Sequence, residues 1–136
     1  MSVSVILDTD TLSLLQRGHK EVVHHAEIYI LEHGRLAFTE LTWYEIVRGY
    51  RAINAYRQLE AFREFCSYCL ILPLDRKALN AAADIYVNLR RRGELIGEID
   101  ILIAGIALAN GFGVVTRNTR HFKRIEGLHV ENWTVC

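Results

Sequence analysis

The chain has 136 residues, 51% of them hydrophobic and one a proline, which predicts a single compact globular unit and excludes disordered and fibrous classes. Sixteen Lys and Arg balance sixteen Asp and Glu, which excludes a globally basic nucleic-acid binder, although Arg90, Arg91 and Arg92 form one basic cluster and Arg117, Arg120, Lys123 and Arg124 another. No apolar run approaches the ~20 residues of a membrane span, MSVSVILDTDT carries no signal-peptide pattern, and an odd set of three cysteines fits a reducing compartment, so the expected location is the cytoplasm.

In chain order, the β-branched run 3–7 predicts a buried strand, and Thr9, Asp10 and Thr11 are candidate caps for a helix through Leu12, Leu14 and Leu15. A helix over 19–32 stops at Gly34, and 35–38 is a second strand. Thr39 or Thr42 opens a helix carrying Trp43, Ile46, Val47 and Tyr50 at helical spacing; another over 55–68 completes a helical hairpin. CLIL (69–72) is a third strand before Pro73, and Asp75 begins a long helix to Arg91 that Gly93 closes. A helix over 97–110 ends at Gly111, GVVT (113–116) is a fourth strand, and a fifth lies near His129 and Val130. Short apolar strands alternating with helices predict an α/β domain whose central parallel sheet of four or five strands is covered on both faces.

In such sheets ligands bind beyond the carboxyl ends of the strands. The polar residues there are Asp8 and Asp10 after the first strand, Glu40 and Glu45 after the second, Asp75 after the third, and Arg117 and Asn118 after the fourth. Asp100 stands out because its helix is apolar nearly all round, where an unpartnered carboxylate costs several kcal/mol. It either supports its helix terminus or ligates a hard divalent cation. Glu45 likewise has a structural alternative, a capping box with Thr42 and an ion pair with Arg48. Asp8 has less need of one, since Thr9 or Asp10 is expected to cap the first helix. Cys66 and Cys69 have C-x-x-C spacing without a second pair, which favours buried thiols over zinc, and His24, His25 and His33 are expected on the surface. GFG at 111–113 follows a helix and precedes a strand, the reverse of a dinucleotide fingerprint.

Taken together, ILDTDTLS, TELTWYEIVRG and GEIDILIAGIALANGFGVVTRNTRHFKRIEGLHVENW resemble the PIN-domain nucleases, and most closely the VapC toxins of type II toxin–antitoxin pairs. The resemblance spans nearly the whole chain. It implies an α/β/α sandwich and an acidic site that binds Mg²⁺ or Mn²⁺ and cleaves RNA, often transfer RNA. Matched by position, Asp8, Glu45 and Asp100 are the family's acids. Asn118 stands where many relatives carry a fourth, and its amide adds no negative charge, which disfavours a tightly held second metal. Thr116, Arg117 and Arg120, or the 90–92 cluster, are expected to position ligands or the RNA backbone. The family also implies a homodimer and a small VapB-like antitoxin, for which the aromatic hairpin from Trp43 to Tyr68 offers an apolar surface.

Two rival readings have residues behind them. DTDT fits the D-x-D-x-T pattern of haloacid-dehalogenase-like phosphatases, with Asp8 as nucleophile and Asp10 as acid/base. Asn118 also admits a catalytically decayed PIN module that serves only in interactions.

Overall fold

The structure is a computed structural model that describes residues 2–135, so Cys136, the third cysteine, lies outside the described residues. The elements are β1 (Val5–Leu7), α1 (Thr9–Gln16), α2 (Lys20–His33), β2 (Ala37–Thr39), α3 (Glu40–Ala52), α4 (Tyr56–Cys66), β3 (Leu70–Leu72), α5 (Arg76–Arg91), α6 (Glu98–Asn110), β4 (Gly113–Val115), α7 (Thr119–Phe122) and β5 (Val130–Glu131). All strand pairs are parallel. They form two ladders, β1-β4-β5 and β2-β3, and β1 lies against β2 without a hydrogen-bonded ladder between them. The expected single sheet is therefore five strands with a seam.

Side-chain alternation along the strands builds the sandwich. Ile6, Ala37 and Val114 point into one core with α5 and α6, while Val5, Leu7, Phe38 and Val115 point into the other with α1 to α4. On the first side α5 and α6 pack so closely that a Cβ on Gly105 would stand 2.8 Å from both the Ala78 carbonyl oxygen and the Ala82 Cβ. Gly111 ends α6 in the left-handed region, as its position predicts. On the second side Trp133 is buried against His25 and Tyr29, its ring stacked on His25 at 5.8 Å.

Several expectations shift. β1 starts at Val5, where pairing with Gly113 begins, and not at residue 3. The helix after β1 is capped by Asp8 and not by Thr9, Asp10 or Thr11, because Asp8 has the extended backbone a cap requires and its side chain accepts the Thr11 amide. Thr42 and Glu45 form no capping box: Thr39 caps α3 through the Thr42 amide. His25 and His33 are half-buried against aromatic rings, His33 on Tyr29 at 4.1 Å, and only His24 of the three is exposed. Four-residue α7 was not foreseen. Cys66 ends α4 and Cys69 precedes β3, where burial pushes both thiols up, Cys69 to about 12.

Candidate active site

The spatial sequence β3-β2, β1-β4-β5 reverses chain order between β1 and β4, the point where open α/β sheets bind ligands. A cleft of about 830 Å³ opens there, and Asp8, Glu45, Asp100, Arg117 and Asn118 all line it. Four separated segments therefore converge where elementary sheet geometry places a ligand.

Asp8 is the best-held member. Its backbone N–H donates to the Val115 carbonyl at 3.0 Å, extending the β1–β4 pairing by one residue, and its Oδ1 accepts the Thr11 amide at 2.9 Å. Only 7% of Asp8 is exposed. Burial raises its pKa, and hydrogen bonds from the Thr116 hydroxyl and from Thr11 partly offset this. Thr116 is itself fully buried, so it stands behind Asp8 and does not face the cleft, and its hydroxyl also accepts the Asn118 amide N–H at 2.9 Å.

Asp100 sits in the first turn of α6, whose cap, Gly97, has no side chain to contribute. Its pKa is raised by burial first, then by the charges of Asp8 and Glu45, while His121 opposes the shift. The place in the first turn fits the helix-terminus role, yet that role does not account for a carboxylate lining the same cleft as two others. Glu45, one turn into α3, receives a hydrogen bond from the Thr9 hydroxyl at 2.6 Å and lies 3.7 Å from the Arg48 guanidinium, the expected ion pair. Thr9 Oγ1 also lies 3.0 Å from Thr42 Oγ1. Because the single Thr9 proton goes to Glu45, Thr42 is the donor in that contact. This hydroxyl chain bridges α1 and α3 across the seam between β1 and β2.

At the rim, Arg117 Nε donates to Asp10 Oδ2 at 2.6 Å. The Asn118 amide nitrogen donates to His121 Nδ1 at 2.7 Å, which leaves its Oδ1 for another partner. Arg120 is exposed on α7 and is not part of the cleft lining, so the structure does not bring it to the acids. Nor is the 90–92 cluster a free basic run: Arg92 pairs with Glu94 and donates to the Arg124 carbonyl, and Arg124 in turn bonds the backbone of Glu94 and Leu95. Glu40 and Asp75 serve the backbone instead, accepting the amides of Leu74 and Ala78.

Asp10 lines the cleft as its place after the first strand predicts, while sequence reasoning missed Thr9 and Glu98 as cleft residues. DTDT was the available signal for Thr9, but it reads equally well as a run of caps.

Among the described residues no three His, Cys, Asp or Glu side chains stand ready-arranged around a common metal position. The donor chemistry nevertheless fits a hard divalent cation. Asp8 and Asp100 are desolvated carboxylates whose charges oppose one another, and Glu45 adds a third held from behind by a neutral hydroxyl.

A second groove of about 520 Å³ adjoins the cleft and shares Thr9, Asp10, Ser13 and Glu45 with it. Its outer wall comes from α3, α4 and the turn between them, including Ile46, Tyr50 and Ile53. Tyr44, Ile53, Tyr56 and Tyr68 of the same hairpin region are all more than half exposed.

A family model described as the PIN domain matches residues 5–128. The chain is 32% identical over 129 residues to the tRNA(fMet)-specific endonuclease VapC of Salmonella typhimurium, covering 94% of this chain and 96% of that one. It is 31% identical to Ribonuclease VapC1 of Rickettsia felis, covering 94% and 95%. The solved structure of DNA-bound VapBC from Salmonella typhimurium superposes with a TM-score of 0.85 at 31% identity, over 97% of this chain and 99% of that one.

Proposed function

Because this chain belongs to the PIN-domain family, among the VapC ribonucleases, we propose that it is a metal-dependent endoribonuclease of a single PIN domain, the toxin of a type II toxin–antitoxin pair. The observation that carries the reading is the convergence of Asp8, Glu45 and Asp100 on one cleft at the point where strand order reverses.

Mg²⁺ or Mn²⁺ would be held by Asp8 and Asp100, with Glu45 completing the set directly or through water. When bound, such an ion lowers the pKa of water and compensates charge on phosphoryl oxygens. The chain's own groups supply the rest. Thr116 and Thr11 orient Asp8, and Thr9 orients Glu45, which takes the proton of the attacking water. The Asn118 Oδ1 accepts a hydrogen bond from water and adds no charge, which favours one ion over two. Arg117 binds the backbone phosphate being cut; Arg120, further out, has a weaker claim.

The name of the Salmonella relative makes initiator tRNA the first structured RNA to offer. Relatives solved as VapBC complexes support a small VapB-like antitoxin as partner, and the groove beside the cleft, with Ile46, Tyr50 and the exposed Ile53, is the surface it would cover. A homodimer and a cytoplasmic location complete the proposal; no helix among the described residues is long and apolar enough to cross a membrane.

The phosphatase alternative is set aside on two grounds. The family matched is the PIN domain, and Asp10, which would have to act as acid/base, is ion-paired to Arg117. The decayed-module alternative meets the same test as the nuclease. Purified protein freed of any antitoxin should cut RNA with Mg²⁺ or Mn²⁺ and lose this in Asp8→Asn and Asp100→Asn. Wild type that cuts nothing with either ion would overturn the enzyme reading.

A further inference from the structure

The cleft is electrostatically lopsided. Asp8, Asp10, Glu45, Glu98 and Asp100 face it, against the single cation Arg117. A guanidinium in such surroundings is drawn to the acids, and on Asp8 or Asp100 it would compete directly with a divalent ion. It does neither. Its Nε donates to Asp10, while Nη1 and Nη2 have no hydrogen-bond or ion-pair partner among the described residues. Asp10 lies in the first turn of α1, just after β1, and Arg117 follows β4, so the pair spans the crevice where strand order reverses.

We propose that Asp10 is a positioning residue that holds Arg117 by its Nε edge and leaves the Nη1 and Nη2 edge to receive two oxygens of a substrate phosphate. The chemistry follows from the guanidinium's shape. Its five N–H groups lie in one plane, so fixing one edge orients the other, and a paired N–H edge matches the spacing of phosphate oxygens. Lysine in the same place would supply charge without the fork. Asp10 thus improves RNA binding although it carries the same charge as RNA. The inference rests on the ribonuclease reading and specifies how that site grips its substrate.

That opposition of sign supplies the test. Binding of a labelled RNA hairpin is measured by fluorescence anisotropy in the Asp8→Asn background, which stops cleavage and keeps an amide able to cap α1. Removing a carboxylate beside a polyanion by itself tightens binding. With Arg117→Ala also present, Asp10→Ala should therefore tighten binding. With Arg117 in place it should weaken binding by about tenfold, the size of one charge-assisted hydrogen bond. Arg117→Lys, which keeps the charge and loses the fork, should bind RNA more weakly than wild type though more tightly than Arg117→Ala. Equal tightening by Asp10→Ala in both backgrounds overturns the positioning role, as does full function of Arg117→Lys. If wild type cuts RNA with Mn²⁺ while the cycle is additive, only the positioning role fails; if wild type neither binds nor cuts RNA, both fall.

Discussion

Asp100→Asn should make the protein more stable and inactive at the same time. The Asp100 pKa lies above its ordinary value of 3.8, because of burial first and the charges of Asp8 and Glu45 second. As pH rises past 3.8 the unfolded chain loses this proton before the folded one does. Stability therefore falls through that window, and the full penalty stands once pH exceeds the raised value. Asparagine carries no such penalty. Relief of charge crowding at a functional site is worth about 0.5–2 kcal/mol, and the partial exposure of Asp100 places it toward the lower end. Against this, the variant loses a favourable charge in the first turn of α6, about 0.3–1 kcal/mol. The net gain is a few tenths of a kcal/mol and at most about 0.7 kcal/mol, or roughly 1–3 °C in Tm for a domain of this size. Thermal melts across pH 4 to 8 should show the two proteins converging at the acid end and separating toward neutrality. Metal should then invert their order. At Mn²⁺ about 100 times the wild-type Kd, wild type gains about 2.7 kcal/mol, while a variant binding 100-fold more weakly gains about 0.4 kcal/mol. A variant less stable than wild type across the whole metal-free range would refute the electrostatic argument, and an unchanged gap with Mn²⁺ would remove Asp100 from the metal site.

Two further substitutions probe the support behind the acids. Thr9→Val keeps shape but removes the hydroxyl that joins Thr42 to Glu45; cleavage should drop about 10- to 100-fold, as when a group orienting a metal ligand is lost, and Thr9→Ser should restore it. Unaltered cleavage by Thr9→Val would show that Glu45 needs no such support. Gly105→Ala gains about 1 kcal/mol of helix propensity but drives a methyl into the α5 backbone at 2.8 Å, where overpacking costs about 1–3 kcal/mol. Urea unfolding should report a net loss of about 1 kcal/mol, and a more stable variant would mean that α5 and α6 are not held in that close contact.

Local features were the ones open to reading from the sequence. Asp75 caps α5 and Gly111 ends α6 because those roles depend on a residue and its immediate neighbours. The alternation that sends Ile6 and Leu7 into opposite cores is likewise a property of consecutive side chains. Asp8 was marked by its place after a buried strand and Asp100 by its place in an apolar helix, while Glu45 had a structural alternative and joined them through the resemblance. Contacts across sequence distance were invisible. Thr9 meets Glu45 over 36 positions and Arg117 meets Asp10 over 107, and nothing local distinguishes a threonine that caps from one that orients a carboxylate. The cap of α1 was misplaced for a related reason: DTDT offers four acceptors, and only the backbone conformation, set where β1 stops pairing, chooses among them. The seam between β1 and β2 is also beyond local patterning, since both strands are apolar and buried whichever neighbour completes their ladders.

Thr9, Asp10, Ser13 and Glu45 form a party wall, with the cleft on one side and the apolar groove on the other. With an antitoxin covering the groove, as proposed, two histories of selection bear on the same four residues. A change that refits the groove to a drifting partner alters the seat of Glu45 or the anchor of Arg117, and a change that retunes the chemistry reshapes the groove. Freedom to diverge is left to residues that line only one of the two and hold none of the acids, such as Gln58 in the groove and Glu98 in the cleft.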